Sequence, residues 1–572
     1  MNLRAHRPLL DRSLAALAAL AGLLAVVAFA GCSHEATTPP STDELGRALD
    51  PLFERWNRSD SPGVAVVVLK DGEPVYRRAV GVESLDSGTP VTVDGTVFDL
   101  ASVSKHMTAY AIHRLEERGA LSLDDEVRHH LPWFPDFGTS VTLRHLLHHT
   151  SGLREYLDLV TWNRSREGPF SQAELRSWVE QQEDLNFPPG SQHMYSNTGY
   201  LVLAEVVAEV SGRSFAEFLQ DEMFQPLGLE ETTVRDPDAP PRATESYGPR
   251  QGPLTWLRGP FEPARDGLES WGDGGIDSTA ENLARWLDHL RVTLAEGGPM
   301  AEMGRRGRTL GGSEFAYASG LRPETMHGVD LLWHGGSNAG FRSWAGFAPE
   351  AGWTLVLLSN SHPGAGGLGP EVLRILVNHE GSGETQPTPL DVTAPPPGSD
   401  SSRWVGHFTD GTFGARISLE NGALVYRSPG GPRPARPGNG ELHVGSRRLG
   451  ADLDPSGTLR ALRFWYGAQE VTMERYQPVD PSTVDWEAVV GQYHSGELGV
   501  TLHLRVAEGL LEAELPVRTD RYFPARPDHF LIDSGRASSI TVSRDAAGAI
   551  DGLWLDLIRA RRLRFERLQP TS

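Results

Sequence analysis

The sharpest chemical signal in the chain is Ser102-Val103-Ser104-Lys105, which opens a helical pattern over 105–118 closed by Gly119. On a helix, a hydroxyl and an amine three residues apart share one face. A serine at a helix N-terminus also lies beside free backbone N–H groups, which favour a developing anion. A neutral lysine, with its pKa lowered by burial and neighbouring positive charge, can take the hydroxyl proton. The chemistry this permits is nucleophilic attack on a carbonyl. Two further groups lie far along the chain. Tyr195-Ser196-Asn197 follows Pro188-Pro189-Gly190 and is expected on a turn before a helix over 200–210 closed by Gly212. His334-Gly335-Gly336 opens a stretch leading into a strand expected from Phe341 to Phe347.

Bringing these groups together requires a scaffold whose ends meet. Residues 64–69 form an apolar run, Asp71-Gly72 a turn, and residues 74–80 a second strand, which together predict a hairpin. Another apolar strand is expected over 353–358. Strands at both ends with helices between them predict one sheet completed by both ends of a unit spanning 45–380, an α+β architecture. Residues 381–400 hold five prolines, three glycines and no aromatic residue, and read as a linker.

Beyond the linker lies an internal repeat, expected over 401–480 and 481–572. Val405-Gly406-His407-Phe408 recurs as Val490-Gly491-Gln492-Tyr493, and Pro434-Ala435-Arg436-Pro437 as Pro524-Ala525-Arg526-Pro527. The turn at 454–457 matches 545–548, and Glu474-Arg475 matches Glu566-Arg567. Alternating short strands with frequent turns predict two small antiparallel β-barrels in tandem.

In this order, Ser-x-x-Lys, Tyr-x-Asn and His-x-Gly resemble the three motifs of the serine β-lactamase and penicillin-binding protein superfamily. The variant is similar to the branch of class C β-lactamases, DD-carboxypeptidases, D-aminopeptidases and related esterases. Phe98-Asp99-Leu100-Ala101, His149-Thr150-Ser151-Gly152-Leu153 and Gly275-Ile276-Asp277-Ser278-Thr279-Ala280 agree with it. The resemblance implies that Ser102 is the nucleophile of an acyl-enzyme and that Lys105 and Tyr195 are the general-base unit, Tyr195 also passing the proton to the leaving group. It implies that Asn197 orients Lys105 or the substrate amide. The oxyanion hole is expected from the backbone N–H groups of Ser102 and Ser337, and Gly335 and Gly336 leave room for substrate along the strand. Many members carry lysine where this chain has His334, which is mostly neutral at pH 7 and reaches less far. That departure points away from β-lactamases and toward the D-aminopeptidase-like and esterase-like members. Arg342 is a candidate carboxylate holder or a plain surface arginine. Tandem barrels resemble the D-aminopeptidase architecture, where they restrict access to the site; spacers and cell-wall-binding modules are the alternatives.

The resulting expectation is a serine hydrolase acting on small peptides, amides or esters. D-aminopeptidase or DD-peptidase activity ranks ahead of esterase and β-lactamase activity. A non-catalytic sensor of penicillin or peptidoglycan fragments is the rival from another class.

Composition excludes other classes. With 53 Lys plus Arg against 75 Asp plus Glu, the net charge is −22, and no nucleic-acid partner is expected. A single cysteine rules out an intrachain disulfide and any cysteine-rich zinc site. His145, His148 and His149 have no carboxylate at ligand spacing, so neither metal nor cofactor is expected. The lone Cys32 sits in a telling place. Arg4, Arg7 and Arg12 precede an uncharged run over 13–30, then Gly31-Cys32 and a polar stretch read as a tether over 33–44. Residues 1–32 resemble a bacterial lipoprotein signal, which implies lipidation at Cys32, export and membrane tethering; a single membrane-spanning anchor is the alternative.

Overall fold

The computed structural model describes residues 43–162, 169–239, 241–250, 260–264, 267–379, 401–412, 414–428, 431–437, 441–444, 447–466, 469–515, 518–533 and 538–569. The signal segment with Cys32, almost all of the tether and the linker at 381–400 lie outside these residues. Among the described residues no helix is long and apolar enough to cross a membrane.

The α+β expectation holds. Strands β1 (Val64–Lys70) and β2 (Glu73–Val80) form the hairpin, turning at Asp71-Gly72, where both residues have positive φ. Helix α1 is Lys105–Glu117, α2 is Asn197–Ser211 and α3 is Ala280–Ala295. Late strands β3 (Arg322–Met326), β4 (Val329–Asn338), β5 (Phe341–Ala348) and β6 (Trp353–Ser359) follow, and β6 pairs with β1. The sheet therefore runs β3-β4-β5-β6-β1-β2, closed across its middle by the two ends of the unit. Both of its faces are covered. Val64, Val66 and Val68 pack with Leu373 and Leu376 of α4 (Gly369–His379), while Ala65 and Val67 pack toward the helical layer with Leu283 and Leu287 of α3. A strand buried on both sides reads as a continuous apolar run, which is what 64–69 shows.

Two local expectations need correction. His334-Gly335-Gly336 does not precede a strand but lies inside β4, because Gly335 and Gly336 pair with Trp344 and Ser343 without interrupting the ladder. Asn197 is the first residue of α2 rather than part of a turn; Ser196 caps the helix by accepting from the Gly199 N–H.

The tandem repeat forms two closed, antiparallel eight-stranded barrels with sequential strand order. Equivalent segments fall on equivalent strands. Gly406–Thr409 and Gly491–Ser495 are the first strands, and the turns at 454–457 and 545–548 both join sixth to seventh. The Glu-Arg pairs sit on the eighth strands. Arg475 donates to the Val405 carbonyl and Arg567 to the Val490 carbonyl, tying last strand to first at the seam. The second barrel packs on the hydrolase-like unit through Leu159 and Trp162, with Trp162 edge-on to Phe565.

Candidate active site

The chain reaches Ser102 through a strained corner. Asp99 ends a short strand paired with Ile276–Ser278, and its Oδ1 accepts from the Ala101 N–H at 2.7 Å. Ala101 takes φ +51, uncommon for a residue with a side chain, and the turn Ala101–Ser104 feeds directly into α1. Buried Leu100, Val103 and Met107 anchor the corner, so Ser102 is left half-exposed on a cavity wall.

Lys105 is wholly buried. Its Nζ lies 2.7 Å from Asn197 Oδ1, 2.6 Å from the Asp273 carbonyl oxygen and 3.3 Å from Ser102 Oγ. The first two partners can only accept, so they take two N–H bonds. In the neutral amine the remaining position is a lone pair aimed at the serine hydroxyl, the geometry of a general base.

Asn197 is oriented from behind. Its backbone N–H and its Nδ2 donate to the two oxygens of Glu155 at 2.6 and 2.7 Å, which fixes Oδ1 toward the lysine. Glu155 is fully buried; burial raises its pKa, while Arg559 opposes the rise from 3.7 Å. Arg559 belongs to the second barrel, in the loop before its last strand, and also bonds Asp158. A line of polar contacts thus runs from that barrel through Glu155 and Asn197 to Lys105 and Ser102.

The third motif lines the opposite wall. His334 Nδ1 donates to the Gly335 carbonyl at 2.8 Å, so Nε2 accepts from Tyr317 at 3.2 Å. Burial, Arg322 and Lys105 all lower its pKa well below the ordinary histidine range, and the ring is neutral. Gly336 must be glycine. A Cβ there would stand 2.1 Å from Ser343 Oγ and 2.3 Å from the Leu100 carbonyl oxygen, so β4 packs directly on the corner that carries Ser102. Asn338 Nδ2 donates to Asp99 Oδ2, joining the same two elements, and Arg235 pairs with Asp99 and Asp277 beside them.

Two cavities meet at this point. One, of about 620 Å³, is walled by Tyr195, Arg322, Trp333, His334 and Arg342; the other, of about 410 Å³, by Asn197, Leu268, Asp273 and Arg559. Ser102 and Ser337 border both.

Of the residues singled out in the sequence, Ser102, Lys105 and Asn197 are joined by hydrogen bonds, and His334, Gly336 and Ser337 stand on the facing strand. Tyr195 shares the larger cavity with Ser102, its ring 5.1 Å from Lys105 Nζ, but its hydroxyl bonds to neither among the described residues. The sequence reading missed Glu155, Asp273, Tyr317, Arg322 and Arg559. Glu155 lies two residues past the recognised 149–153 stretch, which is the one local clue; Asp273 acts through its backbone carbonyl and leaves no side-chain signature.

Comparison with known proteins identifies the family. The family model described as Beta-lactamase matches residues 49–377. A D-aminopeptidase of Cereibacter sphaeroides is 26% identical over 92% of this chain and 99% of its own length. A D-aminopeptidase of Brucella anthropi is 27% identical over 89% of this chain and 96% of its own. The octameric penicillin-binding protein homologue from Pyrococcus abyssi, 18% identical, shares the fold with a TM-score of 0.51, covering 82% of this chain and 97% of that one. The chain belongs to the beta-lactamase family, as a serine hydrolase similar along nearly its whole length to D-aminopeptidases.

Proposed function

We propose that this protein hydrolyses small D-amino-acid peptides and amides through an acyl-enzyme on Ser102. The observation that carries this reading is Lys105 Nζ held 3.3 Å from Ser102 Oγ by two obligate acceptors. In acylation, Lys105 takes the hydroxyl proton as Ser102 Oγ bonds to the carbonyl carbon. The backbone N–H groups of Ser102 and Ser337 receive the oxyanion. The C–N bond then breaks, and Tyr195, in the larger cavity, hands the proton to the departing amine. Water repeats the sequence on the ester and releases the acid. A neutral, buried His334 gives the site no lysine-like charge at the third motif, which supports peptidase over β-lactamase chemistry.

The reading extends to cellular setting. The protein is exported, lipidated at Cys32 and tethered to a bacterial membrane facing the periplasm, where peptidoglycan fragments supply D-amino-acid peptides. Parallel assays with D-alanine p-nitroanilide, p-nitrophenyl butyrate and nitrocefin test the activity. Fastest turnover is expected on the anilide; fast nitrocefin turnover without anilide cleavage would overturn it.

A further inference from the structure

Tyr195 stands in a stretch, 192–196, that forms neither helix nor strand, so its place must be fixed from outside that stretch. The segment 149–152 lies against it. Its carbonyls accept in turn from the facing backbone: Gly152 from the Asn186 N–H at 2.7 Å, Thr150 from Gly190 at 2.7 Å and His149 from Met194 at 2.9 Å. His149 makes a second bond on the other side of Tyr195, where its ring Nδ1 accepts from the Ser196 N–H at 3.1 Å. One residue thus grips the chain immediately before and immediately after the tyrosine. Its ring also packs between two phenols, with centroids 4.3 Å from Tyr195 and 4.3 Å from Tyr317.

His149 holds this place against two costs. Its backbone lies at φ +56, the left-handed region that a residue with a β-carbon seldom adopts. Because Nδ1 accepts, the neutral ring carries its hydrogen on Nε2, and that nitrogen is buried without a hydrogen-bond partner among the described residues. Burial, His193 and Lys105 lower the pKa of the ring well below the ordinary histidine range, so Nδ1 stays an acceptor. Strain and an unmet donor persist where the surrounding structure over-determines a position, which is the mark of a functional constraint. Among the described residues His149 lines neither cavity, so it acts through Tyr195 rather than on substrate. The structure assigns His149 as the positioning residue for Tyr195: its carbonyl and Nδ1 fix the backbone on both sides, and its ring fixes the phenol that protonates the leaving group. This rests on the acyl-transfer reading above and adds the group that makes Tyr195 competent in it.

The leaving group supplies the test. An amide nitrogen departs only with a proton, whereas p-nitrophenolate departs as the anion. The quantity read is kcat/KM for D-alanine amide divided by kcat/KM for D-alanine p-nitrophenyl ester, the latter by stopped flow, in full-length protein. His149→Phe keeps a ring and removes the acceptor; it is expected to lower this ratio at least about ten-fold, as is Tyr195→Phe. The double variant is expected to fall no further than Tyr195→Phe alone, because both changes disable one group. His149→Asn offers an oxygen to the Ser196 N–H and tolerates positive φ, and is expected to recover the ratio to within about three-fold of wild type. Loss of folded protein lowers both rates together and leaves the ratio alone. An unchanged ratio in His149→Phe therefore overturns the assignment, as do losses that multiply in the double variant. Should His149→Phe be recovered only unfolded, His149→Gln, whose amide lies one carbon further out than that of asparagine, is read by the same criterion. An unchanged ratio in Tyr195→Phe overturns proton transfer by Tyr195 and the assignment with it, and a wild-type protein inactive on both substrates overturns the acyl-transfer reading itself.

Discussion

At the scale of single residues, the proposed catalysis depends on how tightly Lys105 is held. Removing the amine in Lys105→Met should lower kcat by roughly 10²–10⁴-fold, the range for loss of a positioned general base, while leaving the fold intact by circular dichroism. Glu155 is fully buried behind Asn197 and orients it through two bonds. Glu155→Ala should cost about 1–3 kcal/mol of transition-state stabilisation, a 5- to 150-fold fall in kcat with a smaller change in KM. Glu155→Gln retains one acceptor and should recover part of it. Equal kcat in wild type and Glu155→Ala would mean that Asn197 needs no support. The Ser-x-x-Lys, Tyr-x-Asn and His-x-Gly groups were readable because each motif is local. Glu155, Arg322 and Arg559 were not, because their roles come from contacts across the fold. Arg559 meets Asp158 from 401 positions away, and no spacing rule spans that.

At the scale of elements, two surfaces converge, the corner before α1 and strand β4, with glycine at their closest approach. Gly336→Ala places a methyl into Ser343 Oγ and the Leu100 carbonyl. It should destabilise the protein by about 1–3 kcal/mol, read as a lowered Tm, and impair acylation because β4 must retreat from Ser102. Unchanged Tm and rate would show the packing to be looser than the structure has it. The hairpin, α1 and the closing strand β6 were legible as apolar runs and capped helical periodicity. The end of β4 was not, since a pair of glycines signals a break in a strand unless a neighbouring ladder carries it through. The barrels were legible through their repeat, and the repeated Glu-Arg pair acquires its meaning only once the eighth strand meets the first.

At the scale of the whole molecule, the second barrel and the hydrolase-like unit share a buried ion pair. Arg154 bonds Glu497 and donates to the carbonyls of Arg561 and Arg562, holding the loop that carries Arg559. Arg154→Ala leaves Glu497 buried without its cation and should cost about 3–5 kcal/mol, measurable by denaturant unfolding. Stability should also depend on pH. His106, His113 and His193 are held by burial to pKa values of about 3, and His148 to about 4, against an ordinary 6.5. Between pH 6.5 and 4 the unfolded chain binds protons that these folded rings refuse, so stability falls as pH falls. Glu155 and Asp273, raised by burial, act in the opposite direction and reduce the net slope. His193→Phe should flatten the dependence by about one proton, and a stability curve flat from pH 7 to 4 would contradict these burials. The central claim, that three distant segments assemble one acylating serine, is tested most directly by intact-mass detection of an acyl adduct after brief exposure to a D-amino-acid ester. The account predicts an adduct of the acyl mass, mapped to the peptide containing Ser102 and absent in Ser102→Ala; an adduct on another residue, or one that survives that substitution, would contradict it.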